Sequence, residues 1–288
     1  MKVPTLPKPW GLIVISILLL EIIYVFRAHT DRFVHIWSDE VGGATPLVLS
    51  QDTQQSILRV LERITRGHDR TFVQIGAHVA DTSNDPISKH MLNWTGCMME
   101  PVPWNFNMLQ STLTRKNIGD QVQAFQSAFC SQDSSKPILY AMSSSVDPKT
   151  GHDSRSNKDL PFWVSQIASL DRNQVLKFKD TFEQAGLDIT EYIEELEVQC
   201  MDFSDIVSKC NLDSVSVLFV DTEGFDADVI LSPSFAMIKP LMIYLERQHL
   251  DRKKYETLLM YLHTLGYICH EVKTSNLELL AVHKSLFF

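Results

Sequence analysis

The run Val217-Leu218-Phe219-Val220, closed by Asp221, restricts the fold of this chain more than any other stretch. A strand with one wet face alternates apolar and polar residues. A run apolar on both faces belongs in a sheet covered on both sides, which is the environment of central parallel strands. Thr71 to Ile75, Gly96 to Met99 and Leu241 to Leu245 are similar short runs, ending at Gly76, at Glu100-Pro101 and at Glu246, and Val122 to Phe125 is another. Between them lie stretches with helical spacing. Ser50 to Arg66 carries Ile57, Leu58, Leu61 and Ile64, with Ser50 as N-cap. Ile87 to Leu92, Trp104 to Leu113 and Asp251 to Leu265 follow the same logic. Strands alternating with helices predict an α/β fold with one doubly wound, mostly parallel sheet. Tyr267 to Val272 and Leu277 to Val282, after the last helix, predict a C-terminal antiparallel hairpin in that sheet.

The N-terminus has a different character. Trp10 to Phe26 reads WGLIVISILLLEIIYVF, with Glu21 as its one charge. As a helix it would span ~26 Å, slightly less than the ~30 Å hydrocarbon core. We read 1–9 as a short tail, 10–26 as a transmembrane signal anchor and 27–49 as a stem containing Gly42, Gly43 and Pro46. A cleaved signal would want a small-x-small site, which Arg27-Ala28-His29-Thr30 lacks, and a core helix would show polar positions at helical spacing. Both remain weaker alternatives. Flanking positive charge is near parity, so it favours a cytoplasmic N-terminus and a lumenal C-terminal part only weakly. Such a single-pass type II protein belongs in the Golgi or endoplasmic reticulum.

Charge divides at the same place. The chain totals −9, from 26 Lys and Arg against 35 Asp and Glu. Residues 1–32 hold four basic and two acidic side chains, a surplus of two, so the remainder carries −11. An acidic domain disfavours nucleic acid, whose phosphates need a basic surface. Cys97, Cys130, Cys200, Cys210 and Cys269 show no CxxC or Cys/His zinc spacing, so no structural metal is expected; one disulfide in a lumen stays open, although the spacing does not point to it. Asn93-Trp94-Thr95 is a glycosylation sequon of low specificity.

In an open parallel sheet, ligands bind beyond the carboxyl ends of the strands. Three such ends carry chemistry. Gln74-Ile75-Gly76-Ala77-His78-Val79-Ala80-Asp81 is a small-residue turn that lets a ligand approach the backbone, although an ordinary turn would look alike. Glu100, 24 positions after Gly76, stands where nucleoside sites place an acid for the ribose hydroxyls. Asp221-Thr222-Glu223-Gly224-Phe225-Asp226 crowds carboxylates at the mouth of a buried strand, which shifts their pKa values and marks an acid/base candidate. The competing reading makes Glu223 or Asp226 a helix N-cap.

Taken in order, these motifs resemble the FkbM-type methyltransferases, a Rossmann-like family that uses S-adenosylmethionine. The resemblance runs from about Phe72 to about His283. Gln74-Ile75-Gly76-Ala77-His78 is similar to the family's glycine motif, Glu100-Pro101-Val102-Pro103 to its Glu-Pro-x-Pro segment, and Gln126-Ser127-Ala128 to the segment beside the adenine. Val198 to Ile206, Asp221-Thr222-Glu223-Gly224, Glu246 to Leu250 and Gly266-Tyr267 match later pieces, the Asp-x-Glu-Gly motif being the most specific. The resemblance implies a methyltransferase domain over 50–288. It implies a cofactor site of Gln74, Gly76, Ala77, His78, Asp81, Glu100, Pro101, Ser127 and Ala128. Gln74 departs from the family's Asp and Ala80 from its Gly. The polar stretch 143–160 reads as a loop or lid and 162–195 as mostly helical, with 143–195 an insertion that either covers substrate or is disordered surface decoration.

The implied reaction is O-methylation of a sugar, glycan or other small hydroxylated metabolite. In-line methyl transfer depends on positioning, and an alcohol acceptor needs a base within ~3 Å. Asp221 and Glu223 are the leading candidates, with His249 and then His78 behind them. Two other classes compete: a membrane-anchored, non-catalytic protein that kept the fold, and an oxidoreductase, which would want a fuller glycine turn. The sequence leaves the oligomeric state open.

Overall fold

The computed structural model describes residues 53–80, 93–130, 136–271 and 278–287. The apolar run 10–26, the stem, the helix expected over 87–92 and Asp81 lie outside the described residues. Among the described residues no helix is long and apolar enough to cross a membrane.

A seven-stranded sheet is built from β1 (Thr71–Ile75), β2 (Thr95–Met99), β3 (Val122–Phe125), β4 (Val217–Val220), β5 (Met242–Glu246), β6 (Tyr267–Glu271) and β7 (Glu278–His283). Their order is β6-β7-β5-β4-β1-β2-β3. All neighbours are parallel except β7, which runs antiparallel between β5 and β6. This is the Rossmann-like α/β arrangement with its closing hairpin. All four residues of β4 are buried, as its composition requires.

Helices cover both faces. α1 (Thr53–Gly67) buries Ile57, Val60, Leu61 and Ile64, and α2 (Pro103–Arg115) starts on Pro103, whose fixed φ suits a first turn. α3 (Phe203–Lys209) is closed by a capping box in which Asp202 accepts the Asp205 N–H at 2.8 Å. The short α4 (Asp226–Ile230) and α5 (Pro233–Ile238) follow β4, and α6 (Arg252–Thr264), capped by Asp251, follows β5. Phe203, Phe235, Leu258 and Leu262 close one face over Val73, Leu218 and Ile243.

The segment between β3 and α3 departs from the sequence reading. Pro137 to Met142 reads in sequence as an extra strand, and Ile138–Met142 does form one, which pairs with Ile193–Glu197 and Ala168–Ser169 in a separate three-stranded sheet. The helix expected over 162–195 is limited to Arg172–Leu176, Lys179–Gln184 and two turns of 3-10 helix. Residues 143–160 hold a small hairpin, His152–Asp153 with Lys158–Asp159. A core of its own, with Val164, Val175, Phe182, Ile189 and Tyr192, ties this cap together.

Asp153 lies at the foot of that core. Burial alone would raise its carboxyl, but the Ser156, Tyr192 and Ser145 hydroxyls and the Ser156 N–H hold it well below the usual range. Tyr192 Oη donates to it at 2.7 Å. The folded pKa is depressed, so this stability is present above the unfolded value of about 4 and is lost as pH falls through the folded value. Tyr192→Phe is therefore expected to cost about 1–3 kcal/mol at neutral pH, with the cost shrinking in acid; urea unfolding across pH checks both.

Two cysteine pairs join distant parts of the chain. Cys97 of β2 meets Cys210 after α3, with Cα atoms 6.3 Å apart, and Cys130 meets Cys200 at 5.3 Å. Both separations suit disulfides. The sequence spacing did not indicate them, because the partners lie 113 and 70 positions apart and only the sheet brings them together.

Candidate functional site

The register levels the ends of four parallel strands. Met99, Ile75, Val220 and Leu245 pair in turn across β2, β1, β4 and β5. Glu100, Gly76, Asp221 and Glu246 therefore follow one another along the carboxyl edge, and β7 adds Glu278 opposite Glu246. The chain leaves β1 toward β2 on one side and returns through β4 on the other. Gly76 and Asp221 thus flank the switch point, where open sheets bind ligands.

The glycine turn is built for close approach. Gly76 has φ +83°, and a Cβ there would lie 1.7 Å from the Asp221 carbonyl oxygen. The N–H groups of Gly76 and Ala77 donate to the Met99 carbonyl at 3.0 and 2.8 Å, which binds the turn to β2. His78 then turns left-handed, at φ +48°, and its N–H donates to Glu100 Oε2 at 2.8 Å. Glu100 Oε1 accepts the Val102 N–H at 2.9 Å, just past Pro101. Burial pushes Glu100 up to about 7 against the pull of these N–H groups and Asn105. Burial also lowers the His78 imidazole to about 4, which keeps it neutral near pH 7. Two buried polar atoms on residues of this motif have no hydrogen-bond partner, Gln74 Oε1 and His78 Nδ1.

Ala80 departs from the family pattern at a position that needs positive φ, here +47°. A non-glycine residue pays roughly 1–2 kcal/mol for that conformation, offset in part by a stiffer unfolded chain. Ala80→Gly is expected to stabilise the protein by up to about 1 kcal/mol, seen as a melting point a few degrees higher. Ser127 and Ala128 engage the 200–201 strand: the Ser127 hydroxyl donates to Met201 Sδ at 3.2 Å and Ala128 pairs with Cys200.

The acids past β4 have separate roles. Asp226 is buried and accepts the N–H groups of Thr222 at 2.9 Å and Gly224 at 3.2 Å, so it clamps the turn. Burial raises it to about 6 against the pull of these N–H groups, with a smaller push from Glu223. Glu223, left-handed at φ +52°, instead reaches His249, with Oε2 2.9 Å from Nε2. Asp221 itself is exposed to solvent at the strand end, with four other carboxyl groups around it. Desolvation, followed by Glu223, Asp226, Glu100 and Glu278, lifts its carboxyl well above the usual range. Glu246 is raised to about 10 by burial and then by Asp221, Glu223, Asp226 and Glu278. A carboxylate in such company holds protons more tightly, which makes it a stronger base.

The structure thus unites Asp221, Glu223 and His249 and places Gly76, Ala77, His78 and Glu100 beside them. It adds Glu246, which in sequence marks a strand end and opens a family-like segment but carries no site role. Glu246 and His249 stand three positions apart directly after a buried strand, a signal the sequence carries. Among the described residues Glu223, Glu246 and His249 form a group with metal-ligand spacing, where the sequence reading expected no metal.

The cap roofs this row. Ser165 Oγ lies 3.4 Å from His78 Nε2, and Ser169 Oγ donates to the Glu223 carbonyl at 3.0 Å. Phe178 meets the His249 ring edge-on with centroids 6.2 Å apart, and Trp163 packs on Phe178 at 5.5 Å.

Comparison with known proteins follows from this geometry. A search of curated protein sequences found no match. Among solved structures, an FkbM methyltransferase from Methylobacillus flagellatus KT is similar at 13% identity and TM-score 0.40, over 75% of this chain and 44% of that one. A precorrin-6y C5,15-methyltransferase from Geobacter metallireducens GS-15 is similar at 13% identity and TM-score 0.36, over 82% and 81%. An O-methyltransferase from Bacillus cereus in complex with SAH is similar at 10% identity and TM-score 0.37, over 89% and 90%. The sequence profile of the methyltransferase FkbM domain matches residues 74–269. That match covers well over half of the chain, from the glycine turn to β6, and the chain belongs to the FkbM methyltransferase family.

Proposed function

We propose that this protein transfers a methyl group from S-adenosylmethionine to a hydroxyl of a sugar, glycan or other small metabolite. The observation that carries the reading is the row at the switch point, where Gly76 lies against the Asp221 backbone with Glu100 one strand away. The residues fit the cofactor on their own terms. Gly76 leaves room where a Cβ cannot go, and Gln74 Oε1 and His78 Nδ1 are polar atoms without partners. Glu100 accepts a backbone N–H on each oxygen and a further hydrogen bond from Asn105, which leaves lone-pair capacity for a ribose hydroxyl.

S-adenosylmethionine supplies an electrophilic methyl group on a sulfonium. The chain's own part is positioning and proton handling. Asp221, at the end of β4, takes the acceptor's proton, its basicity raised by the surrounding acids. Glu223, His249 and the cap residues Phe178 and Trp163 orient the acceptor under the roof and exclude water.

A second reading, a non-catalytic relative that binds without transfer, is favoured by Gln74 and Ala80 at positions where the family carries Asp and Gly. One experiment separates the two. The full-length protein is titrated with S-adenosylmethionine, then incubated with labelled cofactor and fractionated lipids, glycans and small molecules. Binding plus label in a neutral hydroxylated fraction is the expected result. Absent binding sinks the enzyme reading, and binding without transfer to any fraction supports the second one.

We also propose a membrane-anchored protein with its catalytic part in the lumen of the Golgi or endoplasmic reticulum. The two cysteine pairs support this address, since disulfides persist in oxidising compartments. A protease-protection assay that digests the C-terminal part from the cytosolic side would overturn it.

A further inference from the structure

We propose that Glu223, Glu246 and His249 form a binding site for one divalent transition-metal cation at the carboxyl edge of the sheet. The donor atoms of the three side chains all lie within 4.8 Å of one another. His249 Nε2 is 2.9 Å from Glu223 Oε2 and 3.6 Å from Glu246 Oε2. Adjacent ligands of one ion at bond lengths of about 2.0–2.2 Å stand roughly 2.9–3.5 Å apart in octahedral or tetrahedral geometry. The observed separations already approach that spacing.

The side chains alone leave this cluster unfinished. A single ring nitrogen, His249 Nε2, faces two carboxylates. The Glu246 Oε2 atom is sealed from solvent and has no hydrogen-bond partner. Among the described residues, His249 is the one basic side chain within ion-pairing distance of Glu223 or Glu246. Leaving a buried carboxylate oxygen unsatisfied is costly, and a cation between the three donors meets all of them at once.

The donors are also held in place before any ion arrives. Glu246 ends β5 and pairs with Glu278 of β7. The Glu223 backbone is fixed left-handed and anchored by Ser169 from the cap. Phe178 packs on the His249 ring, whose side chain is only 6% exposed. Preorganisation of this kind is what a metal site requires. One imidazole with two carboxylates suits a manganese-like or zinc-like ion better than calcium, which takes oxygen ligands only.

The test uses the full-length protein, stripped with a chelator and titrated calorimetrically with Mn(II). We expect one Mn(II) per chain, with affinity at least about tenfold weaker in Glu246→Gln and in His249→Ala. His152→Ala, which removes an exposed ring paired with Asp159 far along the chain, is expected to bind as the parent does. Cooperative melting shows that each variant is folded, and Glu223→Gln replaces any that is not. No saturable Mn(II) binding by the parent at millimolar metal, or unchanged binding in the folded variants, overturns the site. S-adenosylmethionine binding measured on the same samples keeps the two proposals apart. Cofactor binding without metal binding refutes this site alone, and metal binding without cofactor binding refutes the methyl-transfer reading alone.

Discussion

Asp221→Asn is expected to lower methyl transfer by roughly 10²- to 10⁴-fold, the usual contribution of a positioned general base. The amide keeps the size and the backbone contacts of Asp221, so the turn against Gly76 survives. What it loses is the ability to accept a proton. The Asp221 pKa is raised by desolvation and by Glu223, Asp226, Glu100 and Glu278. The parent rate should therefore climb as pH rises through a value well above that of an ordinary carboxylate, and the variant should lose that rise. Single-turnover transfer at saturating cofactor, followed across pH, reads both. A variant that keeps a tenth or more of the parent rate with an unchanged pH profile would remove Asp221 from the role of base.

Gly76→Ala should be the most damaging small substitution in the chain. Its Cβ would sit 1.7 Å from the Asp221 carbonyl oxygen and 2.8 Å from the carbonyl carbon, both backbone atoms. Neither can swing aside, because the Asp221 N–H donates to the Ile75 carbonyl at 2.9 Å and locks β4 to β1. The left-handed φ adds about 1–2 kcal/mol for any residue with a side chain. Relieving the clash means parting two central strands, so we expect a loss above about 4 kcal/mol, a large share of the stability of a domain. Gly119→Ala is the matched control, since a Cβ there meets nothing within 4 Å. Thermal melting of both variants decides the matter, and a Gly76→Ala protein that melts near the parent would show that the close approach is relaxed in solution.

The parts of this protein legible in the sequence are those written in short range. A buried parallel strand announces itself by composition, and the residue that follows it must sit at the carboxyl edge. That is why Gly76, Glu100, Asp221 and Glu246 could be located without coordinates. The cap was not legible because its strands are brief and pair at a distance. Ile138 meets Glu197 and Tyr140 meets Ser169, while two-residue strands carry no periodicity at all. The cysteine pairs escaped for the same reason. Glu223 and Asp226 looked equivalent in sequence, two acids near one turn, and only the fold sent Asp226 to the backbone N–H groups and Glu223 to His249. Glu246 was visible as a strand end, but its convergence with Glu223 depends on β4 and β5 being neighbours.

The clasp between Cys130 and Cys200 has an engineering consequence. Its Cα atoms stand 5.3 Å apart, and the strands it joins, Ala128–Phe129 and Cys200–Met201, are already in parallel register. The cap and its core lie between these two cysteines in the chain. That stretch behaves as a cassette: its base is clasped, it has a core of its own, and it meets the site through Ser165, Ser169 and Phe178. A chimaera joined at the clasp is the natural unit for testing whether this segment sets acceptor preference.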